Sequence, residues 1–269
     1  MLLIFVKYSF IMKTYFGLGG ETDLGELIAV LSGKGGTGKT SVCAGIAAAL
    51  AAEGRRILCI DCDVGLRNLD ISLGMSDCGT LSFLDMLRGS YEFSRIPRHP
   101  KYPGLAFLTA PVNVQADAID AEAFSTLLLD ARRCFDYIFL DAPAGLETGF
   151  RLCAASADRY ILVTGAAPAA VRDAARVGEV LEIMGRTDVR LVVNRVDKGL
   201  FSGLKLTVDD IMDAAGLPLL GIVPEDANVV LAAACGEALL SYKKRTPAGT
   251  GYRNIAKRIQ GIPVPITLR

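Results

Sequence analysis

An eight-residue stretch, GKGGTGKT at positions 33–40, constrains the fold of this chain more than any other feature. It follows an apolar run at 27–31 that is typical of a buried strand, and it leads into an alanine-rich segment at 41–52 that is typical of a helix. Glycines let a backbone turn with several N–H groups facing inward, where they can donate to phosphate oxygens. The N-terminus of the following helix adds free N–H groups and the positive end of its dipole. The stretch therefore predicts a strand, a phosphate-binding loop and a helix in direct succession.

Two side chains of this loop suit a nucleoside triphosphate. Lys39 would reach the β- and γ-phosphates, and the Thr40 hydroxyl would ligate Mg²⁺. The alternative is a glycine-rich turn that binds nothing, but the strand before it and the helix after it favour the phosphate loop. We expect the nucleotide to contact a continuous set of residues: Gly33, Lys34, Gly35, Gly36, Thr37, Gly38, Lys39, Thr40 and Ser41.

Strand-like and helix-like segments alternate along the rest of the chain. Apolar, strand-like runs lie at 27–32, 56–60, 105–109, 137–140, 160–164, 190–194 and 219–223. Helical patterns lie at 39–52, 80–88, 120–133, 147–156, 168–185, 207–215, 226–235 and 250–260. Continuous apolar strands have both faces covered, so the alternation predicts an α/β fold with a doubly wound, mostly parallel sheet. We expect an N-terminal extension at 1–26, one domain at 27–261 and a short tail at 262–269.

The charged residues are unevenly distributed. The 269 residues are 51% apolar, with 29 basic and 29 acidic residues, which is typical of a globular protein and not of a disordered or strongly nucleic-acid-seeking one. No acidic residue follows Glu237, whereas seven basic ones do. A basic end on an acidic body predicts an anionic partner surface. The seven are Lys243, Lys244, Arg245, Arg253, Lys257, Arg258 and Arg269.

Seven scattered cysteines do not form a disulfide framework, which favours a reducing cytoplasm. Cys59 and Cys62 have the spacing of a redox motif, but no helix N-terminus follows them to lower a thiol pKa, so we expect a structural role. Cys43, Cys134 and Cys235 lie in apolar runs and are expected to pack as small hydrophobes.

Residues 1–26 and His99 are not expected to carry function. Residues 1–12 are mostly apolar but interrupted by Lys7, are too short to span a bilayer, and lack the charged start and the cleavage site of a signal peptide. They fit either an extension or a start codon placed upstream of a true start at Met12. His99 lies in the polar sequence PRHP with no second ligand nearby, so we expect it to be solvated and neither a metal ligand nor a base.

Two aspartates follow the second predicted strand, in the segment DCDVGLRNLD at 61–70. Asp61 and Asp63 are two residues apart on an extended segment, so both can point toward the carboxyl end of the sheet. One could enter the magnesium shell while the other orients or deprotonates an attacking water. The alternative, which this stretch alone would favour, is a pair of carboxylates that cap a turn.

Two later strands also end in polar residues. Asp141 closes an apolar run in LDAPAGLE at 140–147, an arrangement suited to hold Mg²⁺ through water, and the turn after it could contact a γ-phosphate through its N–H groups. Asn194 closes another run, and its amide offers the donor and the acceptor that an adenine edge needs, although Asn is also a common turn residue. Ligands of parallel sheets bind beyond the carboxyl ends of the strands, where these residues are expected.

In this order the motifs resemble those of the deviant Walker A ATPases of the MinD/ParA family, over about residues 27–260. The loop matches the family's KGGTGKT form, residues 61–70 resemble its first switch segment, and DAPAG at 141–145 resembles the second switch of the MinD group. The resemblance implies a SIMIBI-like P-loop NTPase that binds ATP and Mg²⁺ and hydrolyses ATP. The implied metal contacts are Thr40, Asp61 and Asp141.

The resemblance also implies roles for single residues around the phosphates. Lys34 is expected to cross a dimer interface to the phosphates held by the other subunit, the alternative being a solvated loop lysine. Lys39 is expected to offset charge in the transition state. Asp63 is expected to orient the attacking water. Asn68 is expected near the phosphates at the dimer interface.

Two other regions take roles from the same resemblance. Glu147 is expected to contact the partner subunit, and the segment that contains Arg151 and Asp158 to form part of the ATP-dependent partner surface. A strand end and a later loop are expected to bind the nucleobase: Asn194, Arg195, Pro224, Glu225 and Asp226.

The MinD group implies a homodimer that forms on ATP and positions the division septum. Its implied partners are a MinC-like division inhibitor, a topological activator of the MinE or DivIVA-linked kind, and an anionic membrane. The implied location is the cytoplasm, with peripheral attachment to the inner face of the cell membrane. Two alternatives stay open: a ParA-like or flagellar-number ATPase with nonspecific DNA or a protein as its platform, and a nucleotide-dependent scaffold with negligible hydrolysis. A metal-cluster carrier would need paired cysteines near the end, where only Cys235 lies.

The end of the chain departs from the family, whose members close with an amphipathic membrane helix. We expect 250–260 to form a helix packed on the body. The following segment, 262–269, contains two prolines and cannot continue that helix. Its alternating apolar residues fit either weak insertion into a bilayer or pairing as an edge strand.

Overall fold

A seven-stranded parallel sheet forms the centre of the computed structural model, which describes residues 24–64, 67–89, 92–111, 114 and 116–266. The strands are β1 (Glu26–Leu31), β2 (Ile57–Asp61), β3 (Leu105–Leu108), β4 (Tyr137–Asp141), β5 (Arg159–Thr164), β6 (Val189–Val196) and β7 (Leu219–Pro224). Their order across the sheet is β3-β2-β4-β1-β5-β6-β7, and each of the six ladders is parallel. The expectations for residues 1–23 and 267–269 lie outside the described residues.

Helices cover both faces of the sheet. They are α1 (Lys39–Ala52), α2 (Leu69–Leu73), α3 (Phe83–Leu87), α4 (Ala121–Cys134), α5 (Thr148–Ser156), α6 (Pro168–Ile183), α7 (Lys198–Leu204), α8 (Val208–Ala215), α9 (Asn228–Ala234), α10 (Leu239–Tyr242) and α11 (Pro247–Ile259). Single turns of 3₁₀-helix lie at Phe93–Arg95 and Ala116–Ala118. Among the described helices, none is long and apolar enough to cross a bilayer.

The central strand β1 shows why the fold is doubly wound. Leu27, Ala29 and Leu31 belong to the core on one face, and Ile28 and Val30 to the core on the other. Successive side chains of a strand point to opposite faces, so a run without polar residues requires cover on both sides. The predicted α/β fold with a doubly wound sheet is confirmed, and the parallel order brings every strand's carboxyl end to one edge.

One helix start was predicted three residues late. We expected a helix from 250, but α11 begins at Pro247 because the Thr246 hydroxyl accepts from the N–H of Gly249 and caps it. Proline is favoured in the first turn, where its missing N–H is not needed. The predicted packing of this segment on the body is confirmed, since Tyr252, Ile255 and Ile259 are buried.

Two predictions about polar and sulfur side chains are wrong. His99 is not solvated: it is only 3% exposed, and its Nδ1 accepts from the N–H groups of Lys101 and Tyr102. Burial lowers the pKa of His99, which favours the neutral ring that can accept both bonds. Cys235 is exposed at the end of α9 instead of packing in the core, whereas Cys59 and Cys62 are buried free thiols.

The tail after α11 is not an edge strand over its described part, 262–266. Arg258 donates from Nη2 to the carbonyls of Val264 and Pro265, at 2.9 and 3.1 Å, and from Nη1 to the carbonyl of Leu220 in β7, at 3.0 Å. The pairing of β6 with β7 shifts register at this point, so the guanidinium satisfies a carbonyl at an irregular ladder. One arginine thus ties the tail to the body.

Candidate functional site

The glycine-rich loop between β1 and α1 has the geometry of an anion cradle. Gly36 and Gly38 both adopt φ near 82°, which side-chain-bearing residues rarely do. No side chain caps the start of α1, so the N–H groups of its first turn are open to a ligand. Side chains built at Gly35 and Gly36 would meet nothing within 4 Å, so the space beside the loop is open. The loop fits a phosphate group.

At the base of this loop lies a buried ion pair. Lys39 Nζ is 2.6 Å from Asp141 Oδ1, and the two side chains are only 7% and 1% exposed. Burial lowers the pKa of Lys39, but attraction to Asp141 and the hydrogen bond to it outweigh burial, so the pKa is raised overall. The ammonium therefore stays charged at the position from which it would meet phosphate oxygens.

A second buried carboxylate lies beside the pair. Asp61 is the register partner of Asp141 across the β2–β4 ladder, and it accepts from the N–H groups of Asp63, Asn68 and Leu69. Burial and repulsion by Asp141 raise the pKa of Asp61 to about 6. At neutral pH two carboxylates then face one lysine, and the surplus negative charge suits a divalent cation.

The oxygen atoms at this edge fit Mg²⁺ in particular. They are the carboxylates of Asp61 and Asp141 and the hydroxyl of the partly exposed Thr40. Within the described ranges, no cluster of three or more His, Cys, Asp or Glu side chains could hold a metal unaided. Mg²⁺ commonly takes one or two protein oxygens, several waters and phosphate oxygens, so this donor set requires a bound nucleotide to complete it.

The switch-like residues lie at the rim of the site. Asp63 is half-buried; burial raises its pKa, attraction to Lys39 opposes that rise, and repulsion by Asp141 adds to it. Asn68 and Lys34 are exposed. The Lys34 ammonium makes no hydrogen bond or ion pair with any described residue, so its charge is available to another molecule.

The segment after Asp141 is attached directly to the loop. The N–H of Gly145 donates to the carbonyl of Ser32, 3.1 Å away, so movement of one segment affects the other. Glu147 and Arg151 are exposed on this side. Asp158 is exposed as well but, contrary to expectation, lies at the opposite end of the sheet, where it accepts from the N–H of Leu27 at the start of β1 and from Arg132.

The residues expected at the nucleobase differ in their contacts. Asn194 is 4% exposed, and its Nδ2 donates to the carbonyl of Thr37, 2.8 Å away, so this amide holds the phosphate loop. Arg195 pairs with Glu225 in solvent, next to Pro224. The carboxylate of Asp226 accepts from the N–H groups of Asn228 and Ala248, which fixes the loop to the start of α11.

We expect Asn194→Ala to weaken nucleotide binding by about tenfold, because the Thr37 carbonyl would lose its buried donor and the loop its support. Titration with a fluorescent ATP analogue measures the affinity. Arg190→Ala, an exposed change on the same strand, is the matched control. Unchanged affinity in Asn194→Ala would mean that the loop holds its shape without this bond.

Sequence reasoning missed two contacts that shape the site. Neither the Lys39–Asp141 pair nor the Asn194–Thr37 bond leaves a local signal, since the partners are 102 and 157 residues apart in the chain. The sequence indicated only that Asp141 and Asn194 end strands and that Thr37 and Lys39 belong to the loop region.

Comparison with known proteins gives consistent results. Residues 28–240 match the model of the CobQ/CobB/MinD/ParA nucleotide-binding domain family. The septum site-determining protein MinD of Synechocystis is 37% identical over 244 residues, covering 90% of this chain and 92% of that protein. The MinC:MinD cell division complex of Aquifex aeolicus contains a chain with a TM-score of 0.83 and 33% identity, covering 90% of this chain and 98% of that one. MinD of Pyrococcus horikoshii, solved with Mg-ADP, has a TM-score of 0.76 and 26% identity, covering 88% and 96%.

Proposed function

Because this chain belongs to the MinD/ParA family of nucleotide-binding ATPases, we propose that it is a septum site-determining ATPase that dimerises on Mg-ATP and separates after hydrolysis. The observation that carries the proposal is the buried Lys39–Asp141 pair beneath an open phosphate loop, next to a second carboxylate, Asp61. One buried lysine beside two buried carboxylates leaves a surplus negative charge at the strand edge, next to an open anion-binding loop. A bound triphosphate would meet the charge of the lysine, and a bound Mg²⁺ would offset the surplus negative charge of the two carboxylates.

In the proposed mechanism the loop N–H groups of 33–41 and the Lys39 ammonium bind the phosphates and oppose charge that grows on the γ-phosphoryl oxygens. Thr40 would hold Mg²⁺ directly, with Asp61 and Asp141 acting through water; the ion when bound neutralises phosphate charge. Asp63, at the rim, orients the attacking water. Asn194, Arg195, Pro224, Glu225 and Asp226 surround the nucleobase.

Dimerisation is proposed from the exposed and unpaired Lys34. A cation next to Lys39 is unfavourable unless an anion accepts it, and the phosphates bound by a second copy would do so. Asn68 and Glu147, also exposed at this edge, would lie against the same partner. Loss of the γ-phosphate would then remove the anion that Lys34 binds and release the dimer, and the Gly145–Ser32 bond would pass the change to the segment after Asp141.

We expect Lys34→Ala to abolish the ATP-dependent dimer and to lower hydrolysis at least about a hundredfold, with monomer fold and ATP affinity nearly unchanged. Light scattering after gel filtration in ATP and in ADP measures the mass, and phosphate release measures turnover. Lys198→Ala, another exposed lysine, is the control. A wild-type chain that binds ATP but neither dimerises nor hydrolyses it would support the scaffold alternative.

The partners proposed for this ATPase follow its relatives. A MinD chain of Aquifex aeolicus was solved with MinC, so a MinC-like division inhibitor is proposed here, together with a topological activator. An anionic membrane is the proposed platform, which would make the chain a peripheral protein of the inner membrane face. Salt-sensitive binding of duplex DNA in ATP would favour the ParA-like alternative.

A further inference from the structure

A short surface helix presents an apolar face that none of the described residues covers. On α9, Val230 is 72% exposed and Leu231 is 50% exposed. Ala227, Ala234 and Cys235 are exposed as well and lie three or four residues before or after them, on the same side of the helix. A contiguous apolar helix face in solvent marks an interaction surface.

Three consecutive cations follow the next helix, and the first of them reaches the start of α9. α10 packs against α9, and Lys243, the residue after α10, places Nζ 3.4 Å from the side-chain oxygen of Asn228, the first residue of α9. Lys244 and Arg245 follow and are exposed. Arg253 donates to the Lys244 carbonyl, which fixes this turn to α11. We call Val230, Leu231, Lys243, Lys244 and Arg245 the α9 patch.

The charge of the α9 patch is not offset locally. None of the ion pairs among the described residues includes Lys243, Lys244 or Arg245. The carboxylates close to them in sequence are engaged elsewhere: Glu225 by Arg195, Asp226 by Asn228 and Ala248, and Glu237 by Lys101. The patch therefore combines exposed apolar side chains with an uncompensated positive charge.

We infer that the folded body of this chain, through the α9 patch, contacts an anionic lipid bilayer. Val230 and Leu231 enter the headgroup region, and the three cations bind lipid phosphates. The inference assigns the surface by which the proposed ATPase would bind its membrane platform, and it rests on that proposed function. α9 also packs on α2, which begins directly after Asn68, so the patch is attached to the segment proposed to lie near the phosphates.

The composition of the patch favours a bilayer over two other partners. A phosphate backbone of nucleic acid is bound by donors and leaves exposed valine and leucine side chains without a role. A second copy joined through the same patch would set cations against cations. The tail is the other membrane candidate, but Arg258 holds its carbonyls at 264 and 265 to the body.

Cys235 provides a direct test, because it lies on the α9 face and is the one cysteine of the seven that is exposed. We would label it with an environment-sensitive dye in a Cys78→Ser background and add vesicles of phosphatidylglycerol and phosphatidylcholine, or of phosphatidylcholine alone, in ATP and in ADP. We expect a blue shift and co-sedimentation with the anionic vesicles only, both stronger in ATP.

Two patch variants should weaken this binding at least about tenfold: Val230→Gln with Leu231→Gln, and Lys243→Gln with Lys244→Gln and Arg245→Gln. All five side chains are exposed, so the fold should persist. Ile183→Gln, at another exposed apolar side chain, and Lys198→Gln with Lys205→Gln are matched controls that should bind as the wild type does. Deletion of 262–269 should leave the binding largely intact.

Three results would overturn the inference. In the first, the patch variants bind vesicles normally while the tail deletion does not. In the second, the patch variants lose salt-sensitive DNA binding and no variant binds vesicles. In the third, the patch variants lose only the dimer. ATP hydrolysis and dimer mass, recorded for each variant, separate failure of the membrane inference from failure of the proposed function. Normal turnover without vesicle binding would contradict only the role of the α9 patch. Vesicle binding through the patch without any turnover would contradict only the proposed ATPase activity.

Discussion

Lys39→Gln is expected to lower ATP affinity at least about a hundredfold and to remove hydrolysis. The ammonium is the single cation buried in the described part of the site, and loss of a charge-assisted bond to phosphate costs roughly 1.5–3 kcal/mol per contact. Titration with a fluorescent ATP analogue and single-turnover phosphate release would measure the two effects. ATP affinity near that of the wild type would contradict the assignment of the glycine-rich loop as the nucleotide site.

The same substitution should destabilise the protein, which requires a control. Without Lys39, Asp141 becomes a buried carboxylate without a cation, and breaking a buried pair on one side costs about 3–5 kcal/mol. The urea midpoint of Lys39→Gln should therefore fall. The double variant Lys39→Gln with Asp141→Asn removes both charges and should recover most of the stability while ATP binding stays lost. That contrast separates a binding defect from unfolding.

The strands were the most predictable part of this fold. Segments such as Tyr137–Asp141 are apolar without interruption because both faces are covered, and their observed bounds lie within two residues of the prediction. Three short helices, α2, α7 and α10, were not predicted, whereas the equally short α3 falls within the helix predicted at 80–88. α2 and α10 have five and four residues, too few for a helical period to appear, and they form because tertiary packing holds them.

The wrong predictions share a physical cause. His99 lies in a polar sequence, yet the turn that follows it needs an acceptor for two N–H groups, and the ring supplies it in a buried position. Cys235 lies in an apolar run, yet that run forms a surface helix and Cys235 is on its exposed side. Local composition reports the average environment of a segment, whereas the direction of each side chain is decided by distant parts of the chain.

Among substitutions that leave ATP binding intact, a change at Asp63 should slow hydrolysis the most. We expect Asp63→Asn to slow phosphate release by about 10²–10⁴-fold, the usual contribution of a group that orients or deprotonates water, while ATP affinity is retained. Its backbone N–H, which donates to Asp61, remains, so the segment should keep its shape. The dimer formed on ATP should then persist, and its mass should not fall during incubations in which the wild type returns to monomer.

Asp70→Asn is the matched control for this prediction, because Asp70 lies in the same segment but its carboxylate accepts from the N–H of Ile71, in the first turn of α2. It should hydrolyse ATP as the wild type does. If Asp63→Asn turns over normally, the water must be oriented by another group. Asp61 is poorly suited to orient the water, because its carboxylate already accepts from three backbone N–H groups. These bonds hold the segment after β2 in place. A long-lived ATP dimer in Asp63→Asn, together with no dimer in Lys34→Ala, would assign hydrolysis and association to two different residues of one site.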